Sequence, residues 1–322
     1  MRIFIAGAAG AIGQRLIPQL VARGHDVTAS TRSTAKSELL RSLGAVPVVM
    51  DGLDRASVGE AVARAEPDAI IHQMTALAGA ADLRHFDRWF SGTNQLRTLG
   101  TQHLLAAASA SGVPRFIAQS YTGWTNARDG GPVKTEEDAL DPSPAKAQSQ
   151  TLAAIRALEA AVMAAPLEGL LLRYGNFYGP GASDSLVQMV RRRRMPIIGD
   201  GTGVWSWIHL DDAASATIAA LEAGLQGIYN VTDDEPARVG EWLPYLAEVI
   251  GAKPPLHIPI WAARLLAGEV ATRWMTEGRG SSNAKLRAAA GWRPTWASWR
   301  DGFRFALTAQ HGAVHGSPSH AA

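Results

Sequence analysis

The stretch GAAGAIG, residues 7–13, constrains this chain more than any other. It follows RIFIA, a β-branched and aromatic run, and opens a helical pattern that reaches about Arg23. Glycines therefore stand at 7, 10 and 13, between a strand and a helix. In that setting Gly7 permits a tight turn. Gly10 lets backbone approach a pyrophosphate, and Gly13 lets helix and strand pack closely. The turn through Ala11 and Ile12 would offer free N–H groups at the helix N-terminus to phosphates. The spacing GxxGxxG is a variant of the more common GxGxxG. It predicts a bound dinucleotide.

The alternation continues. HDVTAST (25–31), AVPVVMD (45–51), DAIIHQM (68–74), PRFIAQS (114–120) and GLLLRYG (169–175) read as strands. Helical patterns lie between them at 34–43, 54–65, 92–111 and 149–164. Strands alternating with helices predict a parallel sheet with crossover helices. Continuous apolar runs such as AIIH suit strands buried on both faces. Pro18 predicts a kink or a shifted start in the first helix. After residue 176 the rhythm changes, and eight of the ten tryptophans lie beyond residue 200.

Composition removes several classes of function. The 322 residues contain no cysteine, which excludes disulfides, thiolate catalysis and Cys-ligated zinc. Net charge is +2, and the one basic cluster, RRRR at 191–194, reads as a solvated helix end. Nucleic-acid binding is therefore not expected. No run of eighteen apolar residues predicts a membrane span. The N-terminus lacks an apolar segment of signal-peptide length, which fits a cytoplasmic protein. HGAVH (311–315) lacks an acidic ligand and is not read as a metal site.

The end of the second strand bears on which dinucleotide binds. An acid there would hold a ribose hydroxyl pair. The sequence is instead ASTRST, 29–34. Arg32 can pair with a 2′-phosphate, and Ser30, Thr31 and Ser33 can donate to it. NADP(H) is expected in preference to NAD(H).

Further motifs accompany the glycine turn: VVMDGLD (48–54), DAIIHQMTA (68–76), GTQHLLAAASASGVPRFIAQS (100–120), LLRYGNFYGPG (171–181), WIHLDDAASA (207–216) and SNAKLRAAAGWRP (282–294). Together, and in this order, they resemble the extended short-chain dehydrogenase/reductase superfamily, the NAD(P)-dependent epimerase/dehydratase-like group. The resemblance runs from residue 1 to about 308. It implies an α/β fold: a doubly wound Rossmann domain over 1–175 and a smaller C-terminal α+β substrate lobe over 176–308. Some lobe segments would return to the first domain, and 309–322 would be a flexible tail. It also implies that Asp51, Gly52 and Leu53 flank the adenine and that Met74 and Thr75 lie along the ribose. Tyr174, Gly175, Asn176 and Phe177 would pass near the nicotinamide. Asn94 matches an asparagine of the following helix, with a longer spacing to Gly100 and Thr101 than usual. The family often pairs the helices found here at 95–111 and 149–164, so a homodimer is expected.

The chain departs from this family at its chemistry. Members usually move a proton through a tyrosine whose pKa is lowered by a lysine four residues later. None of the five tyrosines here has a lysine at that spacing. Glu159 and Val162 match the end of the relevant helix, which puts Thr151 and Ile155 in the places of the pair. Lys146 would reach the site only if its segment were rearranged. In FIAQSYTGW, Ser120 ends the strand and Tyr121 takes the usual catalytic hydroxyl's place. Tyr121 is therefore the acid candidate, with Ser120 and Thr122 as hydrogen-bond donors; the alternative is that Tyr121 only walls the pocket. His72 and His209 read as packing histidines.

Trp205 and Ser206 stand where nucleotide-sugar enzymes place a phosphate-binding arginine. With Trp124 and Tyr178 they suggest a cleft for an apolar or aromatic substrate. Trp207 reads as core. The expected function is an NADP(H)-dependent oxidoreductase with a non-standard proton donor. The rivals are a non-redox isomerase, epimerase or cyclase on the same scaffold, and a non-catalytic NADP(H) sensor.

Overall fold

The computed structural model describes residues 1–77 and 82–307. The expected tail at 309–322, with its HGAVH, lies outside the described residues. Seven strands form one sheet: β1 (Arg2–Ala6), β2 (Asp26–Thr31), β3 (Val46–Val49), β4 (Ala69–His72), β5 (Arg115–Tyr121), β6 (Glu168–Tyr174) and β7 (Gly227–Val231). Their spatial order is β7-β6-β5-β4-β1-β2-β3, and every pairing is parallel. The order reverses between β1 and β4, which is where open sheets of this kind bind ligands, at the carboxyl ends of the strands. This is the doubly wound Rossmann arrangement.

Continuous apolar strands still alternate by face. Ile3 and Ile5 join one core with Leu16, Ile17 and Leu20 of α1 (Gly13–Ala22) and Ala213 and Ala214 of the helix Leu210–Glu222. Phe4, Ile70 and Phe116 face the other way. They pack against Val58 and Val62 of α2 (Arg55–Ala65), Leu104 of α3 (Thr101–Ala110) and Leu158 and Val162 of α4 (Ser149–Ala164). The α1 helix starts at Gly13 and carries Pro18 inside it. Core packing of the residues on either side outweighs the missing proline N–H, so the helix does not begin later.

The helix expected over 92–111 is interrupted. An α-helical turn at Ser91–Gln95 passes into a π-helical turn at Leu96–Gly100 before α3 begins. The extra residue of a π turn absorbs the unusually long spacing from Asn94 to Gly100. Asn94 keeps a bond to Thr151 on α4 (Nδ2 to Oγ1, 3.0 Å), and Thr101 keeps one to His72 (3.1 Å).

A third core lies in the C-terminal part. Trp207, Trp242, Trp299, Tyr178 and Phe303 are fully buried together. Short strand pairs bind this part to itself and to the sheet domain; Gly280–Ser281, for example, runs parallel to Val133–Lys134. The helix Leu210–Glu222, here α5, and strand β7 come from the C-terminal half yet complete the main sheet. Among the described residues no helix is long and apolar enough to cross a membrane.

Candidate active site

The glycine turn has the geometry a pyrophosphate needs. Gly7 has φ +85°, and a Cβ there would lie 2.8 Å from the backbone of Gln73 and Met74. A Cβ on Gly13 would stand 2.2 Å from the Ala8 carbonyl oxygen. Both positions exclude any side chain. Gly10 and Ala11 are exposed, whereas Ile12 is core. The cradle is thus open at Gly10 and Ala11 and closed behind, a fit for the phosphates of a dinucleotide.

The end of β2 is only partly as expected. Ser30 is buried, and its Oγ accepts the Gly7 N–H at 3.1 Å. Thr31 is also buried, and its Oγ1 accepts the Ser33 N–H at 3.2 Å. Neither hydroxyl points outward. They fix the glycine turn and the strand end rather than facing a phosphate. Arg32 is exposed and has no ion pair among the described residues.

In the segment expected to flank the adenine, Asp51 is exposed and its carboxylate accepts the Leu53 N–H at 3.0 Å. Gly52 is pressed against Met74: an added Cβ would lie 2.5 Å from the sulfur. The Met74 side chain therefore fills the space beside Gly52, and Thr75 next to it is exposed. Burial holds His72 neutral, its pKa pushed down to about 4. Its Nδ1 accepts the Met74 N–H at 3.2 Å. His209 is also lowered by burial and accepts the Asp211 N–H at the start of α5. Both histidines brace backbone.

Two residues expected near the reacting groups lie in the core instead. Tyr174 is fully buried, with its hydroxyl 2.7 Å from Thr217 Oγ1 and 3.3 Å from Gln73 Nε2. Tyr178 is fully buried against Trp207, His209 and Phe303. It belongs to the lobe's core, not to a cleft. Alternation alone would put 174, 176 and 178 on one face. They part because Tyr174 ends β6 while Asn176–Tyr178 turns away to pair with Trp207–His209, and of the three only Asn176 lines the recess. Phe177 is partly buried, 5.5 Å from the Tyr174 ring.

The recess itself sits at the carboxyl ends of β5 and β6. Tyr121, Trp124, Asn176, Trp205 and Trp274 line it, with Gly123, Val204 and Gly278. Trp124 and Trp274 stack at 6.2 Å and 19°. Trp205 donates its indole N–H to the Trp274 carbonyl at 2.9 Å. Tyr121 and Trp124 are 6.1 Å apart. The Tyr121 hydroxyl donates to Asn176 Oδ1 at 2.9 Å, and Asn176 Nδ2 donates in turn to the Ser206 carbonyl at 3.1 Å. Burial raises the Tyr121 pKa far above the ordinary tyrosine range, with Asn176 pulling slightly the other way. No cation counters that rise.

The neighbours of Tyr121 have structural partners. Ser120 Oγ donates to Glu159 Oε1 at 2.7 Å, and Glu159 holds Arg173 through bonds of 2.7 and 2.6 Å. Thr122 Oγ1 is 2.5 Å from Ser281 Oγ and 3.2 Å from Asn126 Oδ1. Both hydroxyls are buried and neither lines the recess.

Thr151 and Ile155 are buried on α4. Thr151 Oγ1 donates to Asp87 at 2.6 Å, and the same carboxylate accepts the N–H groups of Gln150 and Thr151 at 3.0 and 2.8 Å. Asp87 therefore caps α4 from a distance, where a carboxylate suits the helix dipole. Lys146 is exposed ahead of α4.

A second recess adjoins the first and shares Gly123, Trp124, Trp274 and Gly278 with it. It is polar, lined by Arg128, Asp141, Gln148, Arg273, Glu277 and Arg279. Trp274 and the three arginines were not singled out from the sequence. Nothing in TRWMTEGRG marks Arg273, Trp274 or Arg279, because only the fold brings 124, 205 and 274 together.

A model of the NAD dependent epimerase/dehydratase family matches residues 3–232. A 3-diazoavenalumate denitrifying reductase from a Streptomyces species is 42% identical over 311 residues, covering 94% of this chain and 99% of that protein. A 2-alkyl-3-oxoalkanoate reductase from Stenotrophomonas maltophilia is 31% identical over 268 residues, 78% of this chain and 76% of that one. Among solved structures, UDP-glucose 4-epimerase from Thermus thermophilus with NAD superposes with a TM-score of 0.72 at 24% identity, covering 97% and 100% of the two chains. A human epimerase family protein with NADPH gives 0.73 at 19% identity, covering 96% and 99%. At those identities the structural likeness concerns the fold.

Proposed function

The chain belongs to the NAD-dependent epimerase/dehydratase family, and we propose that it is an NADP(H)-dependent reductase that acts on a small aromatic substrate without an acid from the protein. That it is a nicotinamide-dependent oxidoreductase follows from the family and from its reductase relatives. The cofactor preference and the substrate are our reading.

The observation that carries the reading is Tyr121. It is the one ionisable group lining the aromatic recess, and its proton is held tightly. Burial without a neighbouring cation favours the neutral phenol. Tyr121 would therefore serve poorly as a base for alcohol oxidation. It would also be a weak acid toward a carbonyl. A reduction that consumes no proton suits such a site better.

The relative named for a diazo compound suggests one. When bound, the nicotinamide supplies hydride. At an aryl diazonium carbon the hydride pair forms a C–H bond, the C–N pair leaves with dinitrogen, and no proton is needed. The residues of this chain then have three tasks. Trp124, Trp205 and Trp274 hold the ring and exclude water. Asn176 fixes the Tyr121 hydroxyl. Gly7, Gly10, Ala11 and Gly13 hold the phosphates, and Arg32 pairs with a 2′-phosphate.

A second reading keeps Tyr121 as proton donor to a carbonyl oxygen. It is favoured by the placement of the hydroxyl at the recess and by the oxoalkanoate reductase relative. One experiment separates the two. NADPH consumption at 340 nm and dinitrogen release are followed with aryl diazonium salts, and NADPH consumption with aryl ketones, for the wild type and Tyr121→Phe. The first reading expects diazonium turnover that survives Tyr121→Phe. Turnover of ketones alone, abolished by Tyr121→Phe, would transfer the reading to the second.

A further inference from the structure

The polar recess beside the tryptophans carries an unsatisfied demand for an acceptor. Arg128 is paired with Asp141 at 3.2 Å and Glu277 at 2.6 Å. Arg273 is paired with Glu269 at 2.5 Å. Arg279 has no carboxylate partner among the described residues. Its guanidinium donates only to the backbone carbonyls of Glu277 and Arg128, at 3.2 and 2.5 Å, and its Nε is shielded from solvent with nothing to bond. Gln148 is 3% exposed and lines the same recess, and its Nε2 also lacks a partner. Arg128 Nε and Trp274 Nε1 in the same lining also lack a hydrogen-bond partner, and buried donors without acceptors are costly unless a ligand supplies the acceptor.

We propose that this recess binds the carboxylate of the substrate, with Arg279 as the charge partner and Gln148 as a second donor, while the substrate's aromatic body lies among Trp124, Trp205 and Trp274. The inference rests on the reductase reading above and narrows its substrate to planar aromatic monoacids. Arg279 offers a ligand a single charge partner. Arg128 is held by two carboxylates and Arg273 by one, and among the described residues Arg279 is the guanidinium of this recess that no carboxylate pairs. A phosphate dianion would leave one of its charges uncompensated in a half-buried site. The recesses share Gly123, Trp124, Trp274 and Gly278, so a single rigid molecule can span both.

The test is a binding titration on protein saturated with NADP⁺, read by tryptophan fluorescence and repeated by calorimetry. The probes are trans-cinnamate, its methyl ester and phenyl phosphate. The acid should bind at least tenfold more tightly than the ester or the phosphate. Arg279→Gln should weaken the acid ten- to hundredfold and leave the ester unchanged, as expected for loss of a charge-assisted bond. Because Arg279 also ties two carbonyls, Gln148→Leu provides an independent variant, and thermal melts confirm that both are folded. Gln148→Leu should weaken the acid severalfold, again without changing the ester. Equal binding of acid and ester, tighter phosphate, no binding of any probe, or an unchanged acid affinity in Arg279→Gln would each overturn the proposal. Failure of the reductase reading looks different: Arg279-dependent acid binding would persist, but no aromatic compound would oxidise NADPH.

Discussion

At the scale of single residues, this site is defined by which protons and charges are committed. Arg32 is exposed and has no ion pair among the described residues, and the proposed function pairs it with a 2′-phosphate. Arg32→Ala should weaken NADPH binding by about 1.5–3 kcal/mol, roughly ten- to hundredfold, and leave NADH nearly unchanged. Comparable losses for both cofactors, measured by fluorescence titration, would refute the phosphate contact. His72 makes a prediction about pH. Its folded pKa of about 4 lies below the ordinary histidine value of 6.5. The stabilisation from a neutral buried His72 is therefore fully present above pH 6.5 and is lost as pH falls toward 4. By pH 5 the loss is about 2 kcal/mol. Burial lowers His209 in the same direction. Urea midpoints should fall between pH 7 and 5, and His72→Gln should flatten that slope. Some of these roles were legible in the sequence. Gly7 and Gly13 do what their spacing implied, because a steric need is local. The inward turn of the Ser30 hydroxyl to the Gly7 N–H is a choice made by tertiary packing. The sequence cannot show which way a short side chain points at a strand end.

At the scale of elements, the ends of β5 and β6 join stability to the site. Ser120, Glu159 and Arg173 form a buried network that ties β5, α4 and β6 together directly beneath Tyr121. Removing one partner of a buried ion pair strands the other. Arg173→Met should cost about 3–5 kcal/mol in chemical unfolding. A loss below about 1 kcal/mol would mean that the pair is solvated in solution. A milder effect is expected from Ser30→Ala, about 1–3 kcal/mol, because the Gly7 N–H would be left without an acceptor. Strand and helix positions in the first domain could be read from periodicity. The π turn at Leu96–Gly100 could not, since its helical pattern continues without a break. Its only trace was the long interval between Asn94 and Gly100. The aromatic recess was half legible: Trp205 stands where the resembling family places an arginine, and Trp124 goes with it, whereas Trp274 comes from a helix with no distinguishing pattern. Tyr178 lies in the core because its short strand pairs with Trp207–His209, which seats its ring against Trp207, His209 and Phe303.

At the scale of the whole molecule, the parallel sheet puts the glycine turn, Tyr121 and Asn176 on one rim, and the C-terminal part brings Trp205 and Trp274 over it. We expect the chain to dimerise through α3, α4 and the helical turn that precedes α3, a face where Leu99 and Met163 are exposed. Light scattering should give twice the 34.2 kDa chain mass, and a monomer at tens of micromolar would contradict this. The path of the chain has a practical consequence. β7 closes the sheet edge beside β6, and α5 covers one face, although both come from beyond residue 175. The two lobes are thus interwoven rather than strung in series. A fragment ending at residue 175 would not be a smaller cofactor-binding protein. It would carry a naked β6 edge and an uncovered patch of isoleucine and leucine, and should aggregate when expressed alone. Adding residues 205–232 in trans is the natural way to rescue it.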